Sequence, residues 1–193
     1  MENKAMVQEA EQSASGNNKE QLWVIDPAHT EVLFRVKHMV ITTLGGKFDK
    51  FEGKIYSSSG DFSNSRAEFT ADINSINTGN TDRDNHLKSP DFFDAANHPK
   101  LTFKSTSWEK VGDDEFKMQG DLTIRGTTKK IDLKVEFTGI IEDAYGNTRA
   151  GFELSGKISR KEYGLLWNMV TEAGGVVVAD EIKMQVNAEV IRQ

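Results

Sequence analysis

Four histidines and one dense charged cluster carry the most obvious chemistry in this chain. His29, His38, His86 and His98 contain no pair at the i, i+4 spacing that seats zinc on one helix face. His29 and His98 could meet in space, with carboxylates completing a metal site. However, His29 follows Asp26-Pro27 and His98 precedes Pro99, so both read as turn residues and no metal is expected. The cluster is Asp82-Arg83-Asp84-Asn85-His86. Arg83 and His86 there suit a ligand head group, because a guanidinium matches phosphate or carboxylate. The same residues equally make a helix-end set of salt bridges. His38 shares the parity of Val32, Phe34 and Val36, so it faces inward, either as a hydrogen-bonded core residue or as an acid or base. Asp180 shares parity with Val178 and Ile182 and could pair with a buried basic group.

Other chemistry is excluded. The chain has no cysteine, so thiolate nucleophiles, disulfides and cysteine-ligated metals are out. It has no GxxxxGK[ST] or GxGxxG loop to cradle phosphate and no GxSxG elbow. No catalytic residue is assigned, and the chain is expected not to be an enzyme. Lys and Arg number 24 against 30 Asp and Glu, a net charge of −6 that argues against nucleic-acid binding. No apolar run approaches the roughly 18 residues of a membrane span. Residues 1–21 are polar throughout and read as a disordered extension without a secretory signal. A cytoplasmic protein is expected; a replaced leader would place it in the periplasm instead.

From Leu22 onward the pattern has period two. Phe116, Met118, Leu122 and Ile124 alternate with polar neighbours, as do Ile131, Leu133, Val135 and Phe137. Such alternation marks antiparallel strands with one buried face. Eight strands are expected, at 29–38, 46–57, 65–74, 99–110, 114–125, 128–141, 147–160 and 176–192. Leu44-Gly45-Gly46, Ser57-Ser58-Ser59-Gly60, Val111-Gly112-Asp113-Asp114, Gly126-Thr127-Thr128 and Ala144-Tyr145-Gly146-Asn147 read as turns. The expected fold is all-β: one eight-stranded antiparallel barrel over 22–193, lipocalin-like, with short helices in the 75–98 loop. Asp82 and Asp84 suit a helix N-terminus after Thr81, and Ser89-Pro90 reads as a second cap followed by proline. Residues 162–175 are too apolar for a plain surface loop.

An eight-stranded barrel is just wide enough inside for side chains or one slim ligand. The inward register supplies an apolar lining: Phe34, Val36 and His38; Ile55; Phe69, Ala71 and Ile73; Phe103; Leu122 and Ile124; Phe152, Leu154 and Gly156; Val178 and Ile182. Phe92, Phe93, Leu165 and Trp167 from the two interruptions would close the mouths. Small inward residues, notably Ala71, Gly120 and Gly156, are expected to mark where a channel stands open. The alternative is that small and large residues interdigitate into a solid core.

Several segments together resemble the YceI-like family. They are Trp23-Val24-Ile25-Asp26-Pro27-Ala28-His29-Thr30, Phe34-Arg35-Val36-Lys37-His38, Gly46-Lys47-Phe48 with Phe51-Glu52-Gly53, and Ser75-Ile76-Asn77-Thr78. Arg83 to Ser89 with Asp91-Phe92-Phe93-Asp94, Pro99 to Phe103, Gly120 to Gly126, Ile158 to Leu165, and Asp180-Glu181-Ile182 complete the series, from about Trp23 to Val190. The resemblance implies a barrel that holds a polyisoprenoid or other long-chain lipid, and it implies frequent homodimers. It implies no catalytic set and no cofactor beyond the lipid itself. The leading expectation is a non-catalytic carrier or transport protein for a long-tailed amphiphile. An enzyme acting on such a lipid, with His38 or the Arg83–His86 cluster as acid and base, and a ligand-free structural protein linked to stress are the alternatives.

Overall fold

The computed structural model describes residues 20–170 and 177–193. Its strands are β1 (Gln21–Ile25), β2 (Glu31–His38), β3 (Thr42–Phe48), β4 (Phe51–Ser57), β5 (Arg66–Asp72), β6 (Ile76–Asn77), β7 (Lys100–Lys110), β8 (Glu115–Ile124), β9 (Thr127–Glu142), β10 (Thr148–Ser159) and β11 (Val178–Arg192). The order β1-β4-β5-β7-β8-β9-β10-β11 closes on itself through a β1–β11 pairing. The result is a closed antiparallel barrel of eight strands, as the alternation predicts, from which β11 also carries the short ladder β2-β3-β6.

Three neighbouring strands are creased. β1 continues into β2 across a 3-10 turn at Pro27–His29, β3 into β4 across Asp49 and Lys50, and β5 into β6 across a 3-10 turn at Ile73–Ser75. The causes are local. Pro27 cannot donate to a ladder, and the Asp26 and Asp72 carboxylates accept from the Ala28 and Asn74 N–H groups at 3.0 and 2.9 Å. The creases are stitched sideways: Asp49 N–H donates to the Ser75 carbonyl at 3.1 Å, and Asp72 N–H to the Lys50 carbonyl at 2.9 Å.

Several boundaries differ from the sequence reading. The expected strand 46–57 is two strands. Gly45 and Gly46 lie inside β3 rather than in a turn, and the chain reverses instead at Met39 and Val40, both at positive φ. Gly46 is needed in the strand because the Phe34 ring lies over it. Gln21 pairs with Ser57 and Glu20 bonds Arg66, so these two residues belong to the barrel; the rest of the expected extension lies outside the described residues. Only one α-helix forms in the 75–98 loop, α1 (Thr81–Lys88), capped by Asn80. Ser89 ends α1 instead of starting another: its N–H bonds the His86 carbonyl, and the Phe93, Asp94 and Ala95 N–H groups fold back onto Leu87, Ser89 and Lys88.

One end of the barrel is solid. Trp23, Phe62, Phe137 and Phe152 pack there, with Phe62 at 5.1 Å from Trp23 and 4.9 Å from Phe152 between ring centres. Here large and small residues interdigitate. A Cβ on Gly120 would fall 2.3 Å from the Phe103 ring and 2.6 Å from the Lys104 carbonyl. Gly120 is therefore the seat of Phe103 and not an opening.

Gly120→Ala is expected to lower stability by about 1–3 kcal/mol, because backbone must move to relieve the contact. Gly60 has open space around it, so Gly60→Ala should change stability by less than about 0.5 kcal/mol. Urea midpoints of the two variants make the comparison; equal midpoints would contradict the seat.

Candidate functional site

Beyond the plug the interior opens into two chambers. The inner one, about 150 Å³, is walled by apolar side chains that include Phe34, Ile55, Phe69, Phe103, Leu122, Phe152 and Leu154. The outer one, about 450 Å³, lies between the barrel wall, α1 and the 158–167 segment. Phe34, Val36, His38, Phe92, Phe93, Ile124, Leu165, Trp167, Val178 and Ile182 line it, and so do Arg83 and His86. Phe34, Phe48, Leu101 and Met184 border both chambers.

Three expected lining residues are elsewhere. Ala71 and Ile73 are wholly buried in a side cluster with Phe48, Ile76 and Ala95, because the crease after β5 turns them away from the lumen. Gly156 faces inward but is covered: a Cβ there would lie 2.5 Å from the Leu133 side chain. Gly120 and Gly156 are therefore not openings; a bulky neighbour across the sheet fills each of these two seats.

Sequence reasoning also missed wall residues. Trp108 sits outward by simple parity, but a bulge between Ser105 and Ser107 flips it into the inner chamber. Arg160 continues the inward series Phe152, Leu154, Gly156 and Ile158, and that parity was the available signal. It is 3% exposed, and its guanidinium donates to the carbonyls of Ala179, Leu165, Trp167 and Val178. Burial pushes its pKa down, and the charge of Asp180 opposes that. The Arg160 N–H donates to the Asp180 carbonyl at 3.1 Å, but the carboxylate of Asp180 does not bond the guanidinium. That carboxylate accepts from Ser159 Oγ at 2.8 Å and Lys161 N–H at 3.0 Å. Burial works to raise this carboxyl, but the two hydrogen bonds hold it below its ordinary value.

The polar groups of the outer chamber gather around α1. Arg83 Nε donates to Thr78 Oγ1, and Nη2 to the Thr78 carbonyl, both at 2.8 Å. Thr78 in turn donates through its N–H and hydroxyl to Asp84. Two of the five guanidinium donors are so used, and no carboxylate among the described residues lies within ion-pair distance of Arg83. His86 Nε2 is 3.0 Å from Asp91 and stands edge-on to Phe92 and Trp167, with ring centres 5.0 and 4.8 Å away. Tyr163 also lines the chamber. Its hydroxyl is buried with no partner among the described residues, and desolvation pushes its pKa up to about 12.

At the plugged end, Asp26, His29 and Glu189 have the spacing of a metal site. His98 is not with them; it packs on Gly126. Arg149 takes the place of a cation instead. Its Nη1 bonds Asp26 at 2.8 Å and also Glu189, and its Nε bonds Asp143 at 2.6 Å. Hydrogen bonds from His29 and then Arg149 hold the Asp26 carboxyl at about 2. Arg149, followed by Asn147, holds Asp143 far below the usual range.

The sequence pattern of the YceI-like domain matches residues 23–190. A UPF0312 protein of Staphylococcus aureus (strain bovine RF122 / ET3-1) is 37% identical over 168 residues, which is 86% of this chain and 95% of that one. A Campylobacter jejuni YceI protein of known structure is 32% identical, with a TM-score of 0.70 over 81% of this chain and 90% of its own. Two more distant structures share the fold: Burkholderia cenocepacia BcnA (21% identity, TM-score 0.75, 86% and 98% covered) and a polyisoprenoid binding domain from Saccharophagus degradans (15%, 0.65, 89% and 98%). No described helix is long and apolar enough to cross a membrane.

The Arg149 cluster predicts an acid limb. Asp26 has a folded pKa depressed to about 2, below its ordinary value of about 3.9. Its contribution is therefore complete above pH of about 4 and lost as pH falls toward 2. Melting temperature measured from pH 5 to 2 should fall in that window, and Arg149→Gln should flatten the fall while lowering the plateau. An unchanged slope in the variant would contradict this assignment.

Proposed function

The chain belongs to the YceI-like domain family, and we propose that it is a non-catalytic carrier that holds one long-tailed amphiphile, isoprenoid or acyl, inside its barrel. The observation that carries this reading is the polarity gradient along the lumen. The inner chamber is walled by apolar groups, while Arg83, His86 and the Tyr163 hydroxyl, which has no partner among the described residues, collect at the outer one. A tail of methylenes gains about 0.8 kcal/mol for each one buried, and the head stays beside the guanidinium and the phenol. The polyisoprenoid binding domain of Saccharophagus degradans, which shares the fold, supports the class of ligand. Catalysis is not part of this reading.

A homodimer belongs to the same reading. Met39, Val40 and Ile41 are exposed beside Leu166, Met169 and Val170, and backbone bonds from Met39 to Val177 and from Val177 to Met169 hold the two groups together. Leu33, which the outward register offers for such a face, is half-buried instead.

Native mass spectrometry should show a hydrophobic species that solvent extraction removes. A protein that arrives ligand-free and takes up neither long-chain carboxylate nor long-chain alcohol overturns the proposal. Arg83→Ala should weaken a long-chain carboxylate about tenfold or more, the worth of a charge-assisted hydrogen bond, and leave the matching alcohol nearly unaffected. If both weaken alike while the melting temperature drops, Arg83 serves only to tie α1 to Thr78. Light scattering should report a dimer that Ile41→Lys dissociates; a monomer at every concentration counts against the dimer alone.

A further inference from the structure

We infer that Phe34, seated on Gly46, is a chain-length selector that separates a short-tail chamber from a long-tail one. This rests on the lipid-binding reading and goes beyond it by naming what decides tail length. The two chambers meet at a waist made by Phe34, Phe48, Leu101 and Met184. At this level β3, β2, β11, β10 and β9 place Gly46, Phe34, Met184, Gly156 and Leu133 side by side in register. Both glycines are seats, Gly156 for Leu133 and Gly46 for Phe34.

The four waist residues are not equivalent. Phe48 is buried, fixed in the side cluster and braced edge-on by Phe93 at 6.5 Å. Leu101 packs against both core clusters. Phe34 is only half-buried, and its nearest aromatic neighbour is Phe48 at 5.8 Å. Its position is set by the glycine: a Cβ on Gly46 would come within 2.3 Å of the ring tip and 2.9 Å of the two flanking carbons. Met184, directly opposite on β11, is an unbranched side chain that adapts easily. Phe34 is therefore the waist residue whose position a glycine decides, and the absence of a side chain at Gly46 keeps it against the wall. A tail that ends in the outer chamber does not have to pass this ring. A longer one reaches the inner chamber only by passing it.

The test uses prenyl alcohols of one head group and increasing length: geraniol, farnesol, geranylgeraniol and solanesol. Their affinities are measured on wild type, Gly46→Ala and Phe34→Ala. The Gly46→Ala methyl must push the ring off its seat into the lumen. Long members should then lose affinity by about fourfold for each methylene kept out of the inner chamber, while geraniol is bound as before. Phe34→Ala removes the ring and should strengthen or equalise binding of the long members, a readout that does not depend on how well Gly46→Ala folds. If both variants are folded by circular dichroism and keep the wild-type dependence on length, the selector is overturned and the carrier reading stands. If wild type and both variants bind no member, the carrier reading falls, and the selector falls with it.

Discussion

An eight-stranded cylinder leaves an interior about one layer of side chains wide, and this width governs everything inside. The chain divides that space by seating large side chains on small ones. Phe103 over Gly120 and the Trp23–Phe62–Phe152 group close one end. Further along, the seats on Gly46 and Gly156 draw Phe34 and Leu133 back to the wall and leave a lumen. Core and channel are thus made by the same device.

The two ends of β10 show two ways to hold a barrel together with arginine. Near its start, Arg149 is shared among three carboxylates of β1, β11 and the β9–β10 turn. That arrangement binds chain termini together with charges of opposite sign. Immediately after its end, Arg160 gathers four main-chain carbonyls from the 165–167 segment and the first residues of β11. Carbonyl dipoles satisfy its donors without cancelling its charge. The apolar segment that carries Leu165 and Trp167 is thereby fixed over the outer chamber, and a positive charge stays beside it.

Much of this was legible in the sequence, because period-two alternation survives wherever the strands are regular. It located β7 to β11 within a few residues. It failed where a local event broke the period. The pattern begins its first strand at 29, after Asp26-Pro27, and ends its third at 74, so the creases at Asp26-Pro27 and Asp72 hid β1 and β6, and the bulge at Ser105–Ser107 reverses the face of Trp108. Gly45-Gly46 looks like a turn because a glycine pair carries no sign of the ring that will lie on it. The lining near α1 was readable from composition, since Arg83, His86, Phe92 and Phe93 are consecutive or nearly so. Arg160 was hidden in plain parity; a charged residue in an inward position reads as the end of a strand unless carbonyls wait there to receive it.

The crease has a mechanical side. β7 to β11 run unbroken along the cylinder, while three adjacent strands are interrupted at nearly the same height. The short ladder of β2, β3 and β6 is joined to the rest by a few bonds around Asp49, Lys50 and Ser75 and by the partnership of β2 with β11. Local opening follows the weakest cooperative unit. The panel beyond the crease is therefore expected to exchange its amide protons ahead of the five continuous strands. Because that panel carries Phe34, Val36 and His38, the ladder that exchanges first is also one wall of the outer chamber.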